Sequence, residues 1–122
     1  MQSVDIVSNA KKVIEVEPNN ADAHFQYARL LEHEGMLEDA VGEYRVASEK
    51  NPDFADAYVC HGNLLRRIGR YPDAEIQYKK AIGVDPGNFF ARFSYAVMLE
   101  DLKRYAEAED EYIVAAGISA GE

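Results

Sequence analysis

The chain has 122 residues, 48% of them hydrophobic, and this length is enough to bury a core. Its 13 basic and 22 acidic residues give a net charge of -9, which makes nucleic acid or an anionic membrane surface a poor partner. A single cysteine, Cys60, excludes an intramolecular disulfide, and neither a membrane-spanning run nor a secretion signal is visible, so we expect a soluble, cytoplasmic protein.

Three prolines, Pro18, Pro52 and Pro86, stand 34 residues apart, and each one lies between two runs that favour a helix. A fixed period of this length is typical of one supersecondary unit copied along the chain. Aligned on the prolines, the sequence divides into the second helix of a partial repeat at 1–20 and three full repeats at 21–54, 55–88 and 89–122.

Four columns of the three full repeats keep one type of residue. Position 8 is small, positions 20 and 27 are alanine, and position 24 is tyrosine (Ala28, Gly62 and Ala96; Ala40, Ala74 and Ala108; Ala47, Ala81 and Ala115; Tyr44, Tyr78 and Tyr112). Small residues let two helices approach closely while aromatic rings fill the space beside them. The pattern predicts seven helices in antiparallel pairs, at about 4–16, 21–34, 38–50, 55–68, 72–84, 89–102 and 106–117.

Glycines mark the turn inside the first two repeats. Gly35 and Gly69 follow predicted helices, where a left-handed backbone favours glycine, and Pro72 stands in the first turn of the next helix. Lys103 takes the matching place in the third repeat, and this predicts a strained or reshaped turn there.

These columns resemble the tetratricopeptide repeat, whose signature also places Leu at position 7, Tyr at 11 and an aromatic residue at 4. The clearest copy is AYVCHGNLLRRIGRYPDAEIQYKKAIGVDP at 57–86, which departs from that signature only at His61 and Leu65. Further departures are His24 and Arg92 at position 4 and Ala120 in place of the closing proline. The resemblance implies an all-α fold, a right-handed superhelical α-solenoid of antiparallel helix pairs.

In this family the first helices line a concave groove that receives an extended segment or a helix of a partner protein. The resemblance implies groove contacts at positions 2, 5, 9, 12 and 13, where this chain carries the candidates Phe25, Arg29, His33, Val59, Asn63, Arg66, Arg67, Phe90, Phe93 and Val97. The clamp that some members use for acidic chaperone tails is absent, because Phe25, Arg29, Cys60, Phe90 and Ser94 occupy its positions.

Two groups of these candidates have two interpretations each, and Asn63 has one. Phe25, Val59 and Phe93 form either an exposed apolar stripe that anchors a ligand or a packing contact between neighbouring helices. Asn63 offers amide donors and an acceptor to a bound peptide backbone. Arg66 and Arg67 either contact a ligand or, as we favour, form ion pairs with Glu32, Glu100 or Asp101.

The sequence contains no set of residues that suggests catalysis, a cofactor or a metal. His24, His33 and His61 fall on different helix faces with no second ligand at metal spacing, and Cys60 has no base in register. We therefore expect a binding protein and not an enzyme. The alternative is the regulatory or substrate-presenting array of a larger enzyme.

The last predicted helix mixes acidic residues with Tyr112, Ile113 and Val114, so one apolar stripe stays exposed. Arrays of repeats need a polar outer face at each end. This favours a fragment of a longer array, and the alternative is a homo-oligomer formed through the uncapped terminal helix.

Overall fold

The computed structural model describes residues 3–121, which form seven α-helices and no strand. In chain order they are α1 (Ser3–Val16), α2 (Ala21–His33), α3 (Leu37–Lys50), α4 (Ala55–Arg67), α5 (Tyr71–Val84), α6 (Phe89–Asp101) and α7 (Tyr105–Ser119). The all-α prediction is confirmed, and each predicted bound lies within two residues of the observed one. None of the described helices combines the length and the apolar character needed to cross a membrane.

The first of two compact units extends to Ala57 and contains α1, α2 and α3. Helix α2 begins after Asn20 because the Oδ1 atom of that residue accepts a hydrogen bond from the backbone N–H of Ala23 at 3.0 Å. The helix ends at a turn in which Gly35 adopts a φ of 80°. Ala28 on α2 and Ala40 on α3 are fully buried, so the two helices pack closely at their small residues.

The second unit begins at Tyr58 and contains most of α4 together with α5, α6 and α7. The cap of α6 repeats that of α2, because Oδ1 of Asn88 accepts from the N–H of Ala91 at 3.0 Å. The turn after α4 contains Gly69 at a φ of 85°. The turn after α6 contains Lys103 at a φ of 62°, which is the strained turn that the sequence predicts.

Helices α4 and α5 approach more closely than an alanine at position 8 allows. A Cβ atom built on Gly62 would lie 2.8 Å from Cε1 of Tyr78, and the Tyr78 ring is fully buried. Glycine at position 8 therefore gives room to the tyrosine at position 24 of the same repeat.

Helix α7 ends two residues later than predicted, at Ser119. The backbone N–H of Ala120 donates to the carbonyl oxygen of Ala116 at 3.0 Å. A proline at this place, as in the preceding repeats, has no N–H for that bond. The missing proline therefore lets the helix continue.

Candidate functional site

In the first unit, Phe25 is a core residue. Its side chain is 7% exposed, and its ring centroid lies 4.9 Å from that of Phe54 and 5.9 Å from that of Tyr44. The guanidinium carbon of Arg29 lies 5.9 Å from the centre of the Phe25 ring, a cation–π contact. His33 is exposed in the last turn of α2. Of these three candidates, only Arg29 and His33 present a side chain to solvent.

Val59 is also buried, at 6% exposure, in a cluster with Tyr58, Ala81 and Ala91 of the second unit. The interpretation of position 5 as an exposed apolar stripe is therefore wrong at Phe25 and Val59, and packing between helices is correct there. The physical reason is that position 5 faces neighbouring parts of the chain, which are the rings of Tyr44 and Phe54 at Phe25 and the small Ala81 and Ala91 at Val59.

Phe93 differs from the other two position-5 residues because it is 45% exposed. It stacks on Phe89 at 5.7 Å and meets Tyr112 edge to face at 5.8 Å. Phe90 is more exposed and meets Phe89 edge to face at 5.5 Å. The beginning of α6 thus carries a cluster of exposed aromatic rings whose positions are fixed by contacts with one another.

Asn63 on α4 is half-buried and held by a tyrosine of α5. The Tyr78 hydroxyl donates to Oδ1 of Asn63 at 2.6 Å. Burial raises the pKa of Tyr78 to about 12, so its hydroxyl keeps the proton that it donates. This bond fixes the Asn63 amide, and no hydrogen bond joins its Nδ2 donors to another described residue.

The same column of tyrosines reaches the first helix in the other two repeats. The Tyr44 hydroxyl donates to Glu32 at 2.7 Å, and the Tyr112 hydroxyl donates to Glu100 at 2.8 Å. From the sequence we interpreted position 24 only as a ring that fills space. The signal for the hydroxyl was present, because all three copies have tyrosine where phenylalanine would fill the same volume.

The two arginines at the end of α4 have different surroundings. An Nη atom of Arg66 lies 3.7 Å from Oδ2 of Asp101 on α6, so the ion pair that we favoured is present at Arg66. The distance is long and Asp101 is 48% exposed, so this pair is weak. The Nε atom of Arg66 is buried without a hydrogen-bond partner among the described residues. Arg67 is exposed, and Val97 on α6 is half-buried.

Position 4 carries a polar bridge that sequence reasoning missed. Nε2 of His24 donates to the carbonyl oxygen of Pro18 at 2.8 Å, and Nδ1 lies 2.7 Å from Oε1 of Glu43. In the second unit, Nε of Arg92 donates to the carbonyl oxygen of Pro86 at 3.2 Å.

The second bond of Arg92 runs from an Nη atom to Oε1 of Glu111, at 3.0 Å. The two residues that depart from the family signature at position 4 therefore form the same bridge, from a repeat-closing proline to a glutamate of the second helix. The bridge could have been predicted from the glutamate that stands at position 23 of the same two repeats, Glu43 and Glu111.

A second network lies between α5, α6 and the start of α7. The Tyr95 hydroxyl donates to Glu75, and the Arg104 guanidinium donates to Glu75 at 3.1 Å and to Glu107 at 2.8 Å. These bonds from Arg104 lower the pKa of Glu75, and those from Tyr95 act in the same direction. Burial and the bond to Glu75 raise the pKa of Tyr95.

The described residues contain no group of three or more His, Cys, Asp or Glu side chains arranged to hold a metal ion. Cys60 is half-buried on α4. The chemical capacity of this surface is therefore that of hydrogen-bond donors, two guanidinium groups and exposed aromatic rings.

Two family models, both described as tetratricopeptide repeat, match the chain, one over residues 61–122 and the other over residues 9–42. The first match covers 62 of the 122 residues, slightly more than half of the chain. No curated protein sequence matches the chain.

Several solved structures share the fold. "Crystal structure of MamA" is 22% identical with a TM-score of 0.91, and the match covers 98% of this chain and 70% of that chain. "Crystal structure of MamA protein" is 22% identical with a TM-score of 0.87, covering 97% and 64%. "MamA MSR-1 C2" is 19% identical with a TM-score of 0.82, covering 97% and 68%. This chain thus spans about two thirds of the length of these proteins, and the likeness concerns the fold.

Proposed function

The chain belongs to the tetratricopeptide repeat family, and we propose on that premise that its second unit binds a short extended segment of another protein. Repeats of this family are in general scaffolds for protein–protein interaction. The repeat boundaries 21–54, 55–88 and 89–122, a cytoplasmic location and the absence of catalysis are parts of the same proposal. The fold is typical of scaffolds and not of enzymes.

The observation that carries the proposal is the oriented amide of Asn63. Tyr78 occupies one lone pair of its Oδ1 atom and holds the amide in place, so that the Nδ2 donors can face a ligand. A peptide backbone offers carbonyl acceptors in an extended strand, and a donor that is already held in place loses little freedom on binding. Asn63 therefore suits the recognition of main-chain carbonyl oxygens.

Charge supports an acidic residue in the ligand. Arg66 and Arg67 lie within one turn of Asn63 on α4, and the ion pair of Arg66 with Asp101 is long enough to be exchanged for a better one. A ligand carboxylate close to Arg66 would accept from its Nη groups, one of which makes the 3.7 Å pair with Asp101.

Helix α6 offers an apolar surface that can anchor the ligand. Phe93 and Phe90 expose ring surface next to a fixed Phe89, so an aromatic or aliphatic residue of the ligand gains contact area without a rearrangement. The ligand class that we propose is a short segment with one acidic and one large apolar residue. Its affinity is modest because few residues are contacted.

The test uses an array of immobilised synthetic peptides that combine one acidic with one aromatic or aliphatic residue, probed with the full chain. Asn63→Asp is the key variant, since it keeps the acceptor for Tyr78 and removes the Nδ2 donors. We expect selected peptides to bind about tenfold more weakly to Asn63→Asp and to an Arg66→Ala, Arg67→Ala double variant.

Lys80→Ala is the control, since Lys80 is exposed on α5 of the same unit and the substitution removes one positive charge outside α4 and α6. Its peptide binding should equal that of the unaltered chain. If all variants bind the selected peptides equally, the face formed by α4 and α6 is not the binding site, and the proposal fails.

A further inference from the structure

The carboxylate of Glu100, near the end of α6, is held in place and faces solvent. Its Oε1 atom accepts from the Tyr112 hydroxyl at 2.8 Å, and the residue is exposed. Burial and the bond to Glu100 raise the pKa of Tyr112, so the hydroxyl keeps the proton that it donates. No Lys, Arg or His side chain of the described residues lies within ion-pair distance of Glu100. This carboxylate can therefore accept a further bond, from a cation of a ligand.

The next carboxylate, that of Asp101, has a cationic partner at a long distance. Its Oδ2 atom lies 3.7 Å from an Nη atom of Arg66 on α4. Burial is the main cause of the raised pKa of Tyr78 and of Tyr112, and the charges of Arg66 and Asp101 also act on both hydroxyls. One guanidinium and two carboxylates thus form a single charge cluster on the face of α4 and α6, composed of Arg66, Glu100 and Asp101.

An acidic ligand residue changes the balance of charge in this cluster. A ligand carboxylate that binds Arg66 takes the guanidinium away from Asp101. Asp101 then stands beside Glu100 with no cation between them, and two like charges at this distance repel each other. The net charge of -9 on the whole chain also repels a ligand of net negative charge. A ligand with an acidic residue alone therefore loses part of the free energy that it gains at Arg66.

We propose that the ligand of the peptide site also carries a basic residue, placed two residues from its acidic one in an extended segment. The acidic residue binds Arg66, and the basic residue binds Glu100 and the released Asp101. This inference rests on the proposed function and names a further part of its ligand. The ligand exchanges one long internal ion pair for two pairs with itself, and no charge of the cluster is left without a partner.

The spacing of two residues follows from the size of the cluster. In an extended strand, residues i and i+2 point to the same side and lie about 7 Å apart. The charges of Arg66 and Asp101 lie 3.7 Å apart, and ligand groups that bind on either side of this pair lie a few ångströms further from each other. Adjacent residues point to opposite sides of the strand, so a base directly next to the acid does not reach the carboxylates.

The test starts from a peptide that is selected on the array and has one acidic and one apolar residue. Lysine is placed in turn at each position within three residues of the acid, and glutamine at the same position gives the uncharged comparison. Calorimetry measures the binding of each peptide to the full chain. We expect lysine two residues from the acid, on one side of it, to bind about fivefold more tightly than glutamine. Added salt should reduce this advantage.

Two substitutions in the chain assign the advantage to the cluster. Glu100→Gln keeps an acceptor for the Tyr112 hydroxyl and removes the charge, and Asp101→Asn is the matching change next to it. Both residues are exposed, so the variants fold normally. We expect the advantage of lysine over glutamine to fall in each variant and to disappear in the double variant, which is the coupling that a double-mutant cycle measures.

Asp110→Asn is the control, because it removes one negative charge from the exposed side of α7 outside the cluster. It should leave the advantage of lysine unchanged. If Asp110→Asn removes the advantage as fully as Glu100→Gln does, the net charge of the chain causes it and the inference is wrong.

Failure of this inference can be told apart from failure of the proposed function. If lysine and glutamine peptides bind the unaltered chain equally while Asn63→Asp still weakens both, the ligand needs no base and only this inference falls. The same holds if the advantage of lysine persists in the Glu100→Gln, Asp101→Asn double variant. If no peptide of the array binds, or if Asn63→Asp and the Arg66→Ala, Arg67→Ala double variant bind as well as the unaltered chain, the peptide site is wrong and the inference falls with it.

Discussion

The first and the second unit form the same type of polar bridge with different side chains. His24 and Arg92 occupy the same place in their repeats, and each bridges a proline carbonyl oxygen to a glutamate at position 23. An imidazole and a guanidinium differ in length, shape and number of donors. The comparison shows that two residue types can form the same bridge from position 4, while the middle repeat has Tyr58 at this position.

Removing this bridge should have the largest effect on stability. His24→Ala leaves a cavity and two unpaired acceptors, and we expect it to lower the free energy of unfolding by about 2–4 kcal/mol. Arg92→Ala should cost about 1–3 kcal/mol, because the Arg92 side chain is more exposed. Denaturant unfolding measures both losses, and hydrogen exchange assigns each one to its unit.

Arg92→His is the exchange that sharpens this comparison. If the two bridges are equivalent, histidine at position 92 should restore most of the stability lost in Arg92→Ala, to within about 1 kcal/mol of the unaltered chain. Equal losses in Arg92→His and Arg92→Ala would show that the second unit needs the guanidinium.

Position 8 gives a second difference between the units, of intermediate effect. Ala28 fills it in the first unit and Gly62 in the second, where an added Cβ would lie 2.8 Å from Tyr78. Gly62→Ala gains about 1 kcal/mol of helix propensity and loses about 1–3 kcal/mol to overpacking, so we expect a net loss of about 1 kcal/mol in the free energy of unfolding. Chemical denaturation of purified chains gives the value.

The reverse change, Ala28→Gly, is the control in the first unit. It should also destabilise, by about 1 kcal/mol or more, because it lowers helix propensity and removes a buried methyl group. A Gly62→Ala chain that is more stable than the original would mean that Tyr78 can move aside.

The smallest expected effect concerns the turns. Gly35 and Gly69 have positive φ angles in two turns, and Lys103 has a φ of 62° in the third. Lys103→Gly should raise the free energy of unfolding by about 1 kcal/mol, because glycine adopts this backbone conformation without strain. Thermal unfolding measures the gain, and Gly69→Ala should shift it in the opposite direction. An unchanged midpoint in Lys103→Gly would show that the turn is not strained.

The fold could be predicted well because the 34-residue period sets both the helix bounds and the residues that pack the helices together. Prolines, alanines and tyrosines that recur every 34 residues fix the register of the helices, and local propensity agrees with that register. Even the strained turn at Lys103 follows from comparison with Gly35 and Gly69. The one clear error in length, at the end of α7, follows from the backbone bond that Ala120 can make.

The candidate site was less predictable because exposure depends on packing between helices. Position 5 holds Phe25, Val59 and Phe93, and only the structure separates the two buried residues from the exposed one. The partner of a hydroxyl or a guanidinium also depends on distances across helices, so the bonds of Tyr78 and Arg104 were not predicted. Position 4 shows this limit of sequence-based prediction most clearly, because the two residues that depart from the family pattern, His24 and Arg92, form the same type of bridge.

The tyrosine hydroxyls at position 24 hold polar residues of the first helices from the side that faces away from a ligand. Each tyrosine belongs to the second helix of a pair, and its hydroxyl donates to a polar residue of the first helix, which is Glu32, Asn63 or Glu100. A substitution that never touches a ligand, such as Tyr78→Phe, would free an acceptor on Asn63 and change what that amide can recognise. The ligand selectivity of such repeats can therefore change through substitutions at residues that no ligand contacts.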